Sequence, residues 1–88
     1  MPSQYYFVFA SKSQAIYMES QFRKNGLNLE LKPTPSKLGK SCSYSLVSHG
    51  EVADIKRIRD QILSSKMSLK GVFQAVKTGQ HTNFKKVF

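Results

Sequence analysis

The chain has 88 residues, 40% of them hydrophobic, and a formal net charge of +9. This length excludes a second domain with its own core. A single cysteine excludes an internal disulfide, and the two histidines, His49 and His81, lie too far apart in sequence for metal-ligand spacing, so we expect neither a metal nor a cofactor.

The first residues lack a basic region and a cleavage site, and the apolar run from Tyr5 to Ala10 is much shorter than the roughly 20 residues that cross a bilayer. We therefore expect a soluble cytoplasmic protein that does not bind membranes. The chain has a large excess of positive charge, with fourteen Lys and Arg against five Asp and Glu. This excess has two interpretations: it attracts an anionic partner such as nucleic acid, or it forms a solvated surface.

The first half of the chain predicts a strand, a helix and a second strand. Residues 5–10 are aromatic or apolar and uncharged, which predicts a strand near the centre of a sheet. Ser11 or Ser13 can then cap a helix. Apolar residues recur at helical spacing over 14–25, and Gly26 ends that helix. Alternating leucines predict the second strand over 27–32.

The second half predicts a strand, a helix and a strand. Apolar alternation predicts a third strand from Ser43 to about Ser48. A helix over 51–66 carries apolar side chains on one face. Residues 69–76 predict a fourth strand, and the polar, basic residues after them predict none. The apolar helix positions are Val52, Ile55, Ile58 and Ile62.

This order predicts an α+β fold of the ferredoxin-like βαββαβ type, with two helices on one face of a four-stranded antiparallel sheet. We expect residues 1–79 to form this domain and residues 80–88 to form a basic C-terminal tail. The first and third strands of this arrangement are adjacent, central and antiparallel. The start of the third strand should therefore lie beside the end of the first.

The stretch from Pro33 to Tyr44 holds the only cysteine, Cys42, in a loop of small and basic residues. Prolines interrupt a strand ladder, so the chain must cross to the next strand here. The expected pairing brings Cys42 close to Ala10, Ser11 and the N-terminus of the first helix. Cys42 precedes Tyr44 by two residues and Leu46 by four, so in an extended strand all three side chains lie on one face. We therefore expect the sulfur of Cys42 to face the helix layer.

Two interpretations of Cys42 remain open. A helix N-terminus and the charges of Lys12, Lys37 and Lys40 favour the thiolate, which can attack a sulfur or selenium donor, hold a persulfide or be oxidised. Alternatively, Cys42 is a small buried residue that closes the end of a strand. No histidine or carboxylate lies nearby in sequence to act as a base, so a hydrolase nucleophile has little support.

The same loop carries a resemblance to a known family. The residues that carry it are Pro33, Thr34, Pro35, Ser36, Leu38, Ser41 and Cys42 in the loop, and Ser11, Ala15, Glu19 and Gly26 before it. With these residues the chain resembles the selenium/sulfur carrier-like family over roughly Phe7 to Phe73. Ser43 stands where that family has glycine, and the basic residues after Gly79 have no counterpart in the family pattern.

The resemblance implies a ferredoxin-like domain in which Cys42 accepts sulfur or selenium from a donor protein and delivers it to an acceptor. The protein would then be a carrier and not an enzyme. Side chains around the sulfur would shape its pocket by hydrogen bonds and charge. These pocket residues are Ser11, Lys12, Lys40, Ser41 and Ser43.

Two further functions stay open. Tyr5, Phe7 and Phe9 share one face of the first strand, as the base-stacking aromatics of RNA recognition domains do. The third strand supplies only one aromatic residue, however, and this favours core packing or a homodimer face. Basic residues of the second helix and tail could instead bind nucleic acid phosphates, with Cys42 only structural. These basic residues are Lys56, Arg57, Arg59, Lys66, Lys77, Lys85 and Lys86.

Overall fold

The computed structural model describes residues 3–35, 38, 44–67 and 69–88. Over these residues the chain forms two helices and a five-stranded antiparallel sheet. The α+β class predicted from the sequence is confirmed. In chain order the elements are β1 Ser3–Phe9, α1 Lys12–Lys24, β2 Glu30–Pro33, β3 Tyr44–Gly50, α2 Val52–Ser64, β4 Leu69–Thr78 and β5 His81–Lys86.

The strands lie in the order β2-β3-β1-β4-β5, so β1 is central, as its uncharged sequence predicted. It pairs with β3 on one side and with β4 on the other, and every pair in the sheet is antiparallel. The first and third strands are therefore adjacent and run in opposite directions. This arrangement fixes where the loop before β3 returns to the sheet.

The prediction of a four-stranded βαββαβ sheet is wrong, because the chain turns back after β4 and adds β5 to the edge. Thr78 pairs with His81 across a two-residue loop, and Gly79, its first residue, has a φ of +62°. A two-residue hairpin loop often places glycine at such a position. The polar composition of β5 concealed it from a search for apolar alternation. The proposed division of the chain at residue 79 remains a prediction.

Alternate residues of β1 build the core. Tyr5, Phe7 and Phe9 are 2% exposed or less, and they pack with the buried faces of the two helices. The core-packing interpretation of these aromatics agrees with this burial. Each such ring removes a large apolar area from water, so this layer stabilises the fold. The helix residues in the core are Ala15, Met18, Phe22, Ile55, Ile58 and Ile62.

Helix α1 ends at the predicted glycine. The N–H of Leu27 donates to the carbonyl of Phe22 at 2.8 Å, the N–H of Gly26 donates to Arg23 at 3.1 Å, and Gly26 has a φ of +84°. This is the double-bonded helix end that favours glycine. The sequence predicted that Leu27 begins the second strand. This is wrong, because the N–H of Leu27 is bound to the end of the helix. That strand starts only at Glu30.

Helix α2 buries three of its four predicted apolar positions. Ile55, Ile58 and Ile62 are between 0% and 6% exposed, whereas Val52 is 54% exposed. The placement of Val52 on the buried face is wrong: it is the first residue of the helix, and the buried positions begin one turn later, at Ile55. No helix in the described part of the chain is long and apolar enough to cross a membrane.

Candidate thiol site at the start of strand β3

The end of β1 lies beside the start of β3. Phe9 pairs with Tyr44 in the antiparallel register, and Ser11, two residues after Phe9, is the N-cap of α1. The chain therefore enters β3 at the corner where β1 ends and α1 begins, as the sequence predicted. Cys42 precedes Tyr44 by two residues and, with Lys37, Lys40, Ser41 and Ser43, lies outside the described residues.

A cation–π contact joins α1 to β3 at this corner. The ammonium nitrogen of Lys12 lies 4.9 Å from the centre of the Tyr44 ring. Lys12 is exposed and Tyr44 is half-buried. The first turn of α1 contains no acidic residue, so the positive end of the helix dipole and Lys12 act with the same sign. The corner thus favours an anion, and a thiolate is one.

Ser11 occupies the predicted N-cap position without capping through its side chain. Its hydroxyl oxygen lies 2.8 Å from that of Ser13, and the backbone N–H of Ala15 donates to the Ser11 carbonyl at 3.2 Å. The expectation that a serine hydroxyl caps the first turn is therefore wrong. The two hydroxyls bond to each other because they stand two residues apart at the point where the chain bends into the helix.

The first part of the loop is held against β3 by a hydroxyl pair that sequence reasoning did not assign to the site. The Thr34 and Ser45 side-chain oxygens are 2.7 Å apart, and Ser45 is completely buried. Farther along, the N–H of Leu38 donates to the Pro35 carbonyl at 2.9 Å. The position of Thr34 beside Pro35 is a signal for a loop entrance, but its partner becomes visible only with the strand register.

The structure places two of the six predicted site residues, Ser11 and Lys12, at this one corner. Tyr44 and Leu46 have the parity expected for Cys42, and both contact the core on the helix side of the sheet. Among the described residues, no group of three or more His, Cys, Asp or Glu side chains could hold a metal ion.

Two grooves in the described part of the chain lie away from this corner. One, of about 300 Å³, runs between the helices and is lined by Tyr17 and Gln61 among others. The second, of about 380 Å³, is lined by His49, Asp54 and Arg57 among others. Neither of these two grooves is lined by Ser11, Lys12 or Tyr44.

The chain matches the sequence model of a known protein family. The sequence model of the family described as "Putative Se/S carrier protein-like" matches residues 4–74, which run from β1 to the middle of β4 and include Cys42. Comparisons with curated proteins and with solved structures give no match. Because the family model covers well over half of the sequence, the chain belongs to the Se/S carrier protein-like family.

Proposed function

We propose that the protein carries a sulfur or selenium atom on Cys42 between a donor protein and an acceptor protein. The observation that carries the proposal is the pairing of Phe9 with Tyr44, which brings Tyr44, two residues after Cys42, close to the positive end of α1. Membership of the Se/S carrier protein-like family supports the same role. The contact of Lys12 with Tyr44 adds a positive charge at this corner.

The transfer step is an exchange between a thiolate and a persulfide. The Cys42 thiolate attacks the outer sulfur of a protonated donor persulfide and forms a new S–S bond. The S–S bond of the donor breaks, and its electron pair leaves with the donor cysteine as a thiolate. The proton stays on the transferred sulfur, so no oxidant or reductant is consumed. Selenium as the outer atom undergoes the same exchange.

The residues around Cys42 have separate roles in this proposal. The ammonium groups of Lys12 and Lys40 stabilise the thiolate before transfer and, once the transferred sulfur has released its proton, the persulfide anion after it. The hydroxyls of Ser11, Ser41 and Ser43 donate hydrogen bonds to the sulfur. Because free thiols persist where disulfides are kept reduced, the proposed carrier acts in the cytoplasm.

The proposal is tested by the reactivity of the thiol and by its cargo. We expect the rate of Cys42 alkylation by iodoacetamide to follow a pKa below the free cysteine value of about 8.5. After incubation with glutathione persulfide, the intact mass of the protein should rise by one sulfur atom, and reduction should remove it. The Cys42→Ser variant should show no mass increase.

Two results would reject the carrier role. The first is an alkylation rate that follows the ordinary thiol pKa together with no gain of sulfur from the persulfide. The second is an equal gain of sulfur in Cys42→Ser. Lys24→Gln is the matched control for charge, because Lys24 is exposed in the last turn of α1, at the opposite end of the helix from Lys12.

A further inference from the structure

The sheet face opposite the helices carries three aromatic side chains on three neighbouring strands. Tyr6 of β1 pairs directly with Phe73 of β4, and the Tyr6 ring centre lies 5.3 Å from that of Phe84 on β5, with the rings perpendicular. All three are half-buried. They alternate with the core residues of their strands, so both helices pack on the other side. We call Tyr6, Phe73 and Phe84 the aromatic cluster.

Small residues beneath the rings allow them to gather. Ala75 lies opposite Phe84 in the register. A Cβ atom added to Gly71 would meet the Phe73 ring at 3.1 Å and the Lys86 side chain at 3.4 Å, so both side chains extend over this glycine. An apolar side chain and a lysine stem thus lie against each other on the sheet surface.

Lysines border the aromatic cluster. Lys86 pairs directly with Phe73, and Lys77 follows Ala75 by two residues on the same face. Both are exposed, and neither has an acidic partner among the described residues. On β2, Lys32 and Glu30 also share this face, and their charged atoms are 3.6 Å apart. The part of the face that β4 and β5 form therefore carries an excess of positive charge beside the aromatic cluster, whereas Val8 and Val47, on the same face toward β2, are buried.

We propose that this face binds single-stranded nucleic acid, with bases stacking on the aromatic cluster and phosphates contacting Lys77 and Lys86. Aromatic side chains bordered by basic residues are the usual platform for unpaired bases, because every base has a π face and every nucleotide a negative charge. The proposal differs from the basic helix-and-tail surface considered from the sequence. It does not depend on Cys42 or on the carrier role.

Charge selects this partner over a second copy of the chain. Two copies joined through this face would bring their unpaired lysines together, and like charges oppose such contact. A nucleic acid strand neutralises the same lysines. A double helix does not expose its base faces, so the surface should prefer single strands over duplexes.

The proposal is tested with fluorescein-labelled oligouridylate of about 12 nucleotides, a length within the range of known single-strand sites. Fluorescence anisotropy measures its affinity for the full chain and, in parallel, that of a duplex of equal length. We expect tighter binding of the single strand. Phe73→Leu should weaken binding roughly tenfold, because leucine keeps the apolar contact but lacks a π face. Lys86→Gln should reduce the slope of log affinity against log salt by about 0.7.

Matched variants separate a site from general attraction to a basic protein. Tyr17→Leu and Lys24→Gln remove an exposed ring and an exposed charge from α1, and both should bind as the wild type does. Cys42→Ser should also bind normally. If Phe73→Leu does not fold by circular dichroism, Phe84→Leu takes its place.

Three outcomes would overturn the proposal. One is duplex binding as tight as single-strand binding, and another is an equal effect of the α1 variants and the sheet variants. The third is the absence of single-strand binding. If the chain then forms a dimer in light scattering that Lys86→Gln strengthens, the face belongs to a second copy of the chain.

Discussion

The ammonium nitrogen of Lys12 and the ring of Tyr44 are 4.9 Å apart, which joins the start of α1 to the start of β3. We expect Lys12→Gln to slow the alkylation of Cys42 by iodoacetamide near neutral pH several-fold, because a positive charge close to the sulfur is lost. Stability should fall by only about 0.5 kcal/mol, as for an exposed cation–π pair. Lys24→Gln, with the same net charge, should leave the alkylation rate unchanged. Equal alkylation rates in the two variants would show that the charge of Lys12 does not act on the Cys42 thiol.

The hydrogen bond between Thr34 and Ser45 should stabilise the entrance of the loop. Thr34→Val removes one hydroxyl and leaves the buried Ser45 hydroxyl without this partner, so the free energy of unfolding should fall by about 1–3 kcal/mol. The double variant Thr34→Val/Ser45→Ala should lose less than the sum of the single changes. Urea denaturation of the four proteins completes the cycle. Additive losses would show that the two hydroxyls act independently.

Gly26 should be required for its backbone conformation and not for space. No atom lies within 4 Å of a Cβ built at this residue, but its φ of +84° is unfavourable for a side chain. Gly26→Ala should therefore lower stability by about 1 kcal/mol. Gly26→Asn should cost less, because asparagine tolerates this region better. Thermal unfolding compares the two, and an equal loss would point to a cause other than the backbone.

Neighbouring residues of α2 provide a contrast between core and surface. Ile62 is completely buried and Leu63 is 44% exposed. Ile62→Ala should destabilise the protein by about 2–5 kcal/mol, through lost transfer energy and a residual cavity. Leu63→Ala should change stability by less than about 0.5 kcal/mol. Urea unfolding measures both, and similar losses would mean that the exposed leucine has a packing partner in solution.

The residues after Gly79 should belong to the folded domain. The N–H of Val87 donates to the Val72 carbonyl at 2.9 Å, and the Arg59 guanidinium lies 5.2 Å from the centre of the Phe88 ring. Deletion of residues 80–88 should cost at least about 2 kcal/mol, since half-buried aromatic area is lost. Lys85→Gln, which keeps β5, is the control. Unchanged stability after the deletion would support the division of the chain at residue 79.

Apolar periodicity was sufficient for the parts of the fold that bury one face. The spacing of Ile55, Ile58 and Ile62 predicted α2, and the uncharged aromatic run predicted a central β1. The periodicity did not reveal β5, because a strand on the sheet edge with few buried side chains has little apolar signal. A glycine at a two-residue turn was the only local sign of this hairpin.

The candidate sites depend on pairings that no local pattern encodes. Strand order brings Tyr6 together with Phe73 and Phe84, although Tyr6 is far from both in the chain. The register between β2 and β3 brings Thr34, which directly follows β2, to Ser45. The pairing of Phe9 with Tyr44 agrees with the corner expected from the sequence, whereas the position of Cys42 itself remains a prediction.

The two outer strands decide how the sheet meets other chains. β2 has four residues and ends at Pro33, which has no N–H to offer a new strand, and β5 ends in Lys85 and Lys86. Edge strands that are short, end in proline or carry lysines pair poorly with strands of other molecules. Growth of the sheet into fibres is therefore opposed at both borders. In the proposed carrier role, a donor or acceptor protein would therefore reach the corner beside α1 through side-chain contacts and not by adding a strand to the sheet.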